Sequence, residues 1–411
     1  MQIQLSRIIY FGMLLCFLMM TPGIVSAESI GVYGSEGTWA LWNTINGSAD
    51  IVGFGWAGTE PITGDWDADG VTELGIYNAA GNNFLVQADP GFDLIGLGWP
   101  GATPVTGDWN GDGAEEVGVY DNEGTWALWN TSTGSADIVG FGWAGTEPIT
   151  GDWDGDGVTN LGIYNTQGNN FHIPNDPGVD VIGLGWPDVT PVVGDWNGDG
   201  KDEVGVYDNK GTWALWNAIN GSADIVGFGW EGTEPITGDW DLDGSTELAI
   251  YNTEGNNFLL QNNSGFDVVG LGWNGVAHVV GVWNADHAWI GSVAHYSRLL
   301  DNDLDEISLA MNKADHNSLS MIGQQIIDDT HKALEDNSRY SVSPMFQEAQ
   351  SEWVLCLTDL NYVGQYTILI ANDLKAGIDD PQNTEKWLSY SNSAIYHMNR
   401  AVELVNNAKM E

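Results

Sequence analysis

Apolar residues in the first two thirds of the chain fall in short runs separated by glycine, asparagine, aspartate and proline. Typical runs are LGIYN, NNFLVQ, DLIGLGW and TPVTGDW. Short apolar runs between turn residues predict β-strands. Residues 28–285 contain no stretch with the three- and four-residue spacing of an amphipathic helix. This region is therefore predicted to be all-β.

An internal repeat organises the same region. A Gly-Asp-Trp loop begins at residues 64, 107, 151, 194 and 238, and a broken copy, GVWNADHAWI, begins at 281. The segment GTWALWN begins at 37, 124 and 211, so the copied unit has two similar halves. Four short strands in each half match one blade of a β-propeller. A β-solenoid is the alternative, but its coils are usually shorter.

The two ends of the repeat region predict the number of blades. Residues 30–56 supply three strands without the one that normally precedes the loop, whereas residues 277–283 form such a strand with no partners after it. Joining them completes one blade. We therefore expect six four-stranded blades, closed by the N- and C-terminal strands in one sheet, which leaves no open end in the repeat array.

The remaining residues, 286–411, change to helical spacing. Apolar residues recur three and four positions apart, which predicts four helices in an antiparallel bundle, two of them near 316–337 and 344–375. Ser343 is a candidate N-cap with Pro344 as the first helical residue, and Asp380-Pro381 marks the next break. We recognise no family in this part. Display, docking or oligomerisation through the bundle is its expected use.

The repeated loops carry the chemistry of the region. Counted from the first Asp, each loop has an acid or amide at positions 1, 3, 5 and 9, glycine at position 6, and a backbone carbonyl on offer at position 7. The candidate ligands of the five loops are Asp65, Asp67, Asp69, Val71, Glu73; Asp108, Asn110, Asp112, Ala114, Glu116; Asp152, Asp154, Asp156, Val158, Asn160; Asp195, Asn197, Asp199, Lys201, Glu203; and Asp239, Asp241, Asp243, Ser245, Glu247.

Oxygen ligands at alternate positions of a tight turn are typical of a Ca²⁺ site, and glycine permits the sharp bend. The loops therefore predict about five calcium sites, tightest in the first and fifth loops, which hold the most carboxylates. One such loop alone would read equally well as an ordinary Asp-Gly hairpin turn. A halophilic surface would scatter its acids rather than hold them at ligand spacing.

The loop D-x-D-x-D-G-x-x-E before an apolar strand, with FGW and TEP upstream, resembles the FG-GAP repeats of integrin α-chain propellers and of secreted FG-GAP/VCBS-like proteins. The resemblance covers residues 31–286. It implies calcium-binding loops that stiffen a ring used in adhesion or ligand binding, with some members acting as lectins. The repeats here are shorter and have GW in place of the Gly-Ala-Pro segment, so neither blade number nor ligand carries over.

The N-terminal segment, the cysteine count and the net charge indicate where the protein is located and which classes of partner are disfavoured. Residues 1–27 have Arg7, an apolar run and a terminal VSA, which predicts a cleaved secretory signal, an extracellular or cell-surface location, and no integral membrane segment after cleavage. Cys356 is then the only cysteine, so no intramolecular disulfide forms. The formal net charge is -46. Such a field disfavours nucleic acid and anionic membranes.

Tryptophans also repeat with the blades, where they either pack between blades or form sugar-stacking platforms. The two sets are Trp39, Trp42, Trp126, Trp129, Trp213 and Trp216, and Trp56, Trp99, Trp143, Trp186, Trp230 and Trp273. The sequence contains no nucleophile elbow, phosphate-binding loop or unique acid–base cluster. We therefore expect a non-enzymatic, calcium-stabilised adhesion or binding scaffold with a protein or glycan ligand. A multivalent lectin is the alternative, and a polysaccharide-active enzyme ranks below it.

Overall fold

The computed structural model describes residues 28–88, 91–175, 178–262, 265–378 and 380–408. The predicted signal segment, residues 1–27, lies outside the described residues. The chain folds as two compact units. The β-rich unit ends at Asn284 and the helical unit begins at Ala285.

The β-rich unit is built from short antiparallel strands. In chain order these are β1 (Ser29–Gly34), β2 (Thr38–Asn43), β3 (Ser48–Gly53), β4 (Glu60–Gly64), β5 (Glu73–Asn78), β6 (Asn83–Gln87), β7 (Phe92–Ile95), β8 (Thr103–Gly107), β9 (Glu116–Tyr120), β10 (Thr125–Asn130), β11 (Ser135–Gly140), β12 (Thr146–Gly151), β13 (Asn160–Asn165), β14 (Asn170–Asn175), β15 (Gly178–Ile182), β16 (Val189–Gly194), β17 (Glu203–Asp208), β18 (Thr212–Asn217), β19 (Ser222–Gly227), β20 (Thr233–Gly238), β21 (Glu247–Asn252), β22 (Asn257–Asn262), β23 (Gly265–Val269) and β24 (Ala277–Gly281).

These strands form six four-stranded sheets, each a simple meander, and the sheets are the blades of a propeller. Blades 1 to 5 are β4–β7, β8–β11, β12–β15, β16–β19 and β20–β23. The closing blade is β24, β1, β2 and β3, with Ile30 opposite Val280 and Val32 opposite His278. The predicted six blades, and their closure by the two ends of the repeat region, are confirmed.

Buried apolar residues lie between neighbouring blades rather than in one central core. Ile30 and Val32 of the closing blade form one cluster with Ile236 and Trp240 of blade 5. Five further clusters link the remaining pairs of neighbours, so each blade is held from both sides. Since each sheet is polar or exposed along its outer strand, the ring gains its apolar burial from blade-to-blade packing.

The helical unit contains four helices that pack in chain order, each against the next. They are α1 (Ala285–Lys313), α2 (His316–Asn337), α3 (Gln347–Ala376) and α4 (Pro381–Ala408). The helix predicted at 316–337 is found with those bounds. Pro381 begins α4, and the Asp380 carboxylate accepts a hydrogen bond from the Gln382 amide (2.9 Å).

The predicted start of the third helix is wrong by three residues. Ser343 does not cap α3, which begins at Gln347 after a turn. The Ser343 amide instead donates to the Asp286 carboxylate (2.7 Å), and the buried Phe346 ring lies 6.2 Å from that of Trp289. These contacts tie the segment to α1, so tertiary packing overrides the local Ser-Pro signal.

Candidate metal sites

The five acidic loops occupy the same place in blades 1 to 5, and we number each loop by its blade. Each joins the first strand of its blade to the second, and position 9 is the first residue of that second strand. The glycine at position 6 has a positive φ in every loop: Gly70 (82°), Gly113 (91°), Gly157 (85°), Gly200 (83°) and Gly244 (87°). Only glycine adopts this conformation without strain, which explains its recurrence.

Position 4 is also left-handed, a feature not anticipated from the sequence. Gly111, Gly155 and Gly198 occupy it in loops 2, 3 and 4. Loops 1 and 5 place Ala68 (φ 59°) and Leu242 (φ 62°) there instead. A side chain in this conformation costs roughly 1–2 kcal/mol. The two loops with most carboxylates therefore carry backbone strain.

The Asp at position 1 organises each loop from within. Asp65 accepts hydrogen bonds from the amides of Asp69 (3.0 Å) and Gly70 (2.8 Å). The equivalent bond from the position 6 glycine recurs at Asp108, Asp152, Asp195 and Asp239 (2.7–3.0 Å). The position 7 amides donate to the position 5 carboxylates, for example Val71 to Asp69 (2.8 Å). Every loop is thus turned with its acids converging.

The carboxylates converge most closely in loops 1, 3 and 5. One oxygen from each member lies within 4.8 Å of the others in three groups: Asp65, Asp67 and Glu73; Asp152, Asp154 and Asp156; and Asp239, Asp241, Asp243 and Glu247. Calcium–oxygen bonds are about 2.4 Å, so two ligands on opposite sides of the ion lie about 4.8 Å apart. These donor sets therefore fit a hard divalent cation in both chemistry and spacing.

Loops 2 and 4 are arranged differently because position 3 is an amide. The Asn110 amide nitrogen donates to the Glu116 carboxylate, which also accepts from Thr131 (3.0 Å). Asn197 makes the same contact with Glu203. Here position 9 is satisfied by a neutral donor. The predicted ligands of these loops are neighbours, but one is already hydrogen-bonded to another.

The carboxyl at position 9 is the most perturbed group of its loop. Burial, followed by repulsion from the loop's Asp residues, raises the pKa of Glu73 and of Glu247 to about 8. The same causes raise the pKa of Glu203 to about 7. An amide at position 2 offsets part of this, as from Trp66 to Glu73 (3.0 Å). A cation would relieve the repulsion that remains.

The residue at position 8 of each loop, which is not one of the predicted ligands, links the loops to one another. Its side chain accepts a hydrogen bond from the position 1 amide of the preceding loop, at 2.8–3.0 Å. The acceptors are Thr72, Glu115, Thr159, Asp202 and Thr246, with Glu28 in the equivalent place before β1. The six bonds run through all six blades and form a closed loop ring.

The loop ring is doubled by backbone bonds. The position 8 amide donates to the position 1 carbonyl of the preceding loop in five cases, as from Thr246 to Asp195 (2.7 Å). The broken sixth copy keeps this role, because Val282 exchanges both bonds with Thr72 (2.7 and 2.8 Å). Losing the Asp side chain at Val282 removes a ligand but leaves the ring intact.

The acceptors of the loop ring alternate between threonine and acid, following the two halves of the repeat. Burial raises the pKa values of Glu115 and Asp202, and it raises that of Glu28 to about 7. In five of the six blades, the glycine that ends the first strand makes room for these side chains. At Gly238, for instance, a Cβ would lie 2.7 Å from the Glu28 carboxylate.

The repeated tryptophans divide into buried and exposed sets. Trp39, Trp126 and Trp213 are fully buried, and their indole nitrogens donate to backbone carbonyls at 2.6–2.7 Å. Packing is therefore the role of these three. Of the second set, four are at least 37 % exposed: Trp56, Trp143, Trp230 and Trp273. Flat aromatic surface is thus available on several blades.

One cavity adjoins a candidate cation loop. It has a volume of about 260 Å³ and lies between blades 4 and 5, beside loop 5. Trp196, Leu215 and Val226 form an apolar side, and Asp241 and Glu247 belong to the carboxylate group of loop 5. Gln261 and Asn262 add amides. The cavity thus combines an apolar wall, hydrogen-bonding groups and two carboxylates of a candidate metal site.

The fold and these loops define a six-bladed β-propeller with acidic inter-strand loops, joined to a helical unit. No protein-family model matches the chain, and no curated protein matches it in sequence.

Several solved structures are similar to part of the chain. A lectin of Agrocybe aegerita, described as recognising non-reducing terminal N-acetylglucosamine, has 11 % identity and a TM-score of 0.41, over 64 % of this chain and 91 % of that one. BBS1N in complex with ARL6DN has 11 % identity and a TM-score of 0.34, over 51 % and 65 %. AztD of Citrobacter koseri has 8 % identity and a TM-score of 0.32, over 62 % and 98 %.

Proposed function

We propose that the protein is a secreted or cell-surface β-propeller, stabilised by Ca²⁺ in its acidic loops, that acts as a non-enzymatic adhesion or binding scaffold. The observation that carries the proposal is the convergence of three or four carboxylates in loops 1, 3 and 5. Burial, and after it repulsion from the neighbouring Asp residues, raises the pKa of Glu247, and a bound cation would relieve that repulsion. The resemblance of the loops to FG-GAP/VCBS-like repeats supports the same cation.

Calcium would supply to these loops what disulfides supply to other exported domains. Carboxylates at positions 1, 3, 5 and 9 would hold it, with loop 5 offering Asp239, Asp241, Asp243 and Glu247. At millimolar calcium and dissociation constants of about 0.1–1 mM, each occupied loop stabilises the fold by roughly 0.5–1.5 kcal/mol. The loop ring would pass this rigidity between blades, since position 1 both coordinates the ion and bonds the next loop.

A calorimetric calcium titration of chelator-treated protein tests the metal sites. We expect binding in the micromolar to millimolar range, and loss of one tight site in the Asp241→Asn variant. Glu123→Gln is the matched control, because Glu123 is exposed in the turn between β9 and β10, at the end of blade 2 opposite the acidic loop. Wild-type protein that takes up no calcium would contradict the proposal, as would equal losses in both variants.

The cavity beside loop 5 favours a second candidate, a multivalent carbohydrate-binding lectin. Trp196 offers a flat apolar face, and Gln261 and Asn262 offer amides of the kind that bond hydroxyl groups. A polysaccharide-active enzyme is less well supported, because near-identical blades suit several weak sites better than one catalytic centre.

A glycan array probed with and without calcium separates these functions. Calcium-dependent binding to glycans supports the lectin, and glycan cleavage supports the enzyme. Silence on the array, together with calcium binding in solution, supports a scaffold for protein ligands.

A further inference from the structure

One face of α3 is exposed, and its sequence has the period of a helix–helix seam. The exposed positions recur at intervals of four and three residues. They are Ser351, Leu355, Thr358, Tyr362, Gln365, Leu369 and Asn372. We call these seven residues the α3 seam. Leu355, Tyr362 and Leu369 are 40–46 % exposed and stand seven residues apart. A coiled-coil interface has two alternating core positions in each heptad. Leucine and tyrosine fill one of them here, and the polar residues Ser351, Thr358, Gln365 and Asn372 fill the other, which weakens the association.

The α3 seam is uncharged in a chain with a formal net charge of -46. The nearest acids on α3 lie on its flank toward α4: Glu352 and Asp359 contact His397 (2.6 and 3.9 Å), and Asp373 accepts from Asn383 (2.7 Å). Two copies of so acidic a chain repel each other over most of their surface. The seam is a strip along which that repulsion is locally absent.

A membrane is a poorer match for this face. By length and composition, α3 is the helix among the described residues that could cross a membrane, and 44 % of the apolar window is already buried. The seam itself alternates Leu and Tyr with Ser, Thr, Gln and Asn. A lipid-facing surface would be apolar throughout, whereas a protein seam accommodates small and amide side chains.

The arrangement of the seam is nearly symmetric about Tyr362. Leu355 and Leu369 each lie seven residues from it. The acidic first turn of α3 holds Glu348, and the basic last turn holds Lys375, at almost equal distances on either side. Two α3 helices running in opposite directions would bring Leu355 against Leu369 of the second copy. Within one copy Glu348 already accepts from Arg400 of α4 (3.0 Å), but its side chain is 65 % exposed, so it would also lie near Lys375 of the second copy at both ends.

The central residue is also held in place before any partner arrives. The Tyr362 ring stacks on that of Tyr390 in α4, with centroids 4.5 Å apart and planes at 21°. Such stacking limits the loss of side-chain freedom on association. The seam from Ser351 to Asn372 is about 32 Å long at 1.5 Å per residue. A two-helix contact of that length is small for a stable dimer, so we expect micromolar association.

We propose that the α3 seam is the interface of an antiparallel homodimer with Tyr362 on the two-fold axis. The occupant is a second copy of this chain, because the seam is complementary to itself in apolar residues and in the charges at its ends. The proposal does not depend on calcium binding. A dimer would carry two propellers and so strengthen weak binding by multivalency.

Light scattering coupled to gel filtration, over about 1 to 100 μM protein, tests the association. We expect a concentration-dependent dimer that Leu355→Lys and Leu369→Lys convert to a monomer with the same helical circular dichroism signal as wild type. Met321→Lys and Tyr396→Glu are matched controls, since these residues are 73 % and 64 % exposed and lie outside the seam. A wild-type monomer throughout the range would overturn the proposal. Dimers that persist in both seam variants would do the same.

Cysteine crosslinking tests the orientation. Tyr362→Cys is expected to crosslink to itself on oxidation, whereas Leu355→Cys and Leu369→Cys crosslink only when mixed. Wild-type protein gives the baseline, because its Cys356 is buried. Efficient crosslinking of Leu355→Cys to itself would indicate a parallel pair and overturn the proposed antiparallel arrangement. Monomeric protein that binds phosphatidylcholine vesicles through Tyr362 would assign the face to a membrane instead.

Discussion

The loop ring makes a specific prediction for Thr246, which lies at position 8 of loop 5. Its hydroxyl accepts a hydrogen bond from the Asp195 amide of blade 4 (2.9 Å), and its own amide donates to the Asp195 carbonyl (2.7 Å). Thr246→Val removes the hydroxyl while keeping the shape of the side chain, including the methyl group that faces Gly194. The backbone bond remains, so the substitution isolates one link of the ring.

The loss of stability in Thr246→Val follows from the Asp195 amide, which is left without its hydrogen-bond acceptor. The Asp195 amide is partly buried between two loops and loses its acceptor in the valine variant. Leaving such a donor unsatisfied costs about 1–3 kcal/mol. For a domain of this size each kcal/mol lowers the melting temperature by about 2–4 °C, so we expect a decrease of roughly 2–12 °C. The repeat predicts the same result for Thr159→Val.

Differential scanning calorimetry in the presence of a chelator measures this effect without any contribution from bound cations. The matched control is Thr253→Val, which deletes an exposed hydroxyl that bonds the Gly232 carbonyl (2.9 Å). We expect less than about 0.5 kcal/mol from the control. Equal melting temperatures for Thr246→Val and wild type would refute the idea that the position 8 contacts hold blades together.

Two further predictions concern strain and pH. Ala68→Gly is expected to stabilise the calcium-free protein by about 0.5–1 kcal/mol, because glycine adopts the left-handed φ of 59° without strain. The control Ala57→Gly, at an exposed turn position, is expected to destabilise the protein. Urea unfolding curves compare the two variants, and a loss of stability in Ala68→Gly would contradict the strain at position 4. Burial and the neighbouring Asp329 raise the pKa of Asp303 in α1 to about 7. The stability that this carboxyl contributes is present below its unfolded pKa near 4 and is lost as pH rises through 7. Asp303→Asn is therefore expected to be more stable than wild type by on the order of 2–4 kcal/mol at pH 8, and by little at pH 4. Unfolding followed by the helical circular dichroism signal measures this difference, and a difference that does not change with pH would contradict the prediction.

Much of the propeller follows from local pattern. Turn residues, short apolar runs and a repeat of 43 or 44 residues predicted the blades, and the unmatched ends predicted the closing blade. The glycine at position 6 predicted the sharp turn at Gly70, because only glycine adopts its φ of 82° without strain. Signals of this kind involve only a few neighbouring residues, so they do not depend on tertiary contacts with the rest of the chain.

The contacts that sequence reasoning missed depend on distant residues. Thr246 and Asp195 are 51 positions apart, and Glu28 meets Asp239 across 211 positions, so nothing near them marks a contact. The alternation of threonine and acid at position 8 was visible, but only the ring gives it meaning. Ser343 failed as a cap for the same reason, since its amide is taken by Asp286 of another helix.

The central claim is that cations in the acidic loops stabilise the ring, and the melting temperature with and without calcium tests it most directly. Millimolar calcium added to chelated protein is predicted to raise the propeller transition by about 5–15 °C, with magnesium at equal concentration giving much less. Reduced shifts in Asp65→Asn and Asp239→Asn, but not in Glu123→Gln, would place the effect in the loops. A transition that stays at the same temperature after exhaustive chelation and after calcium addition would contradict the account.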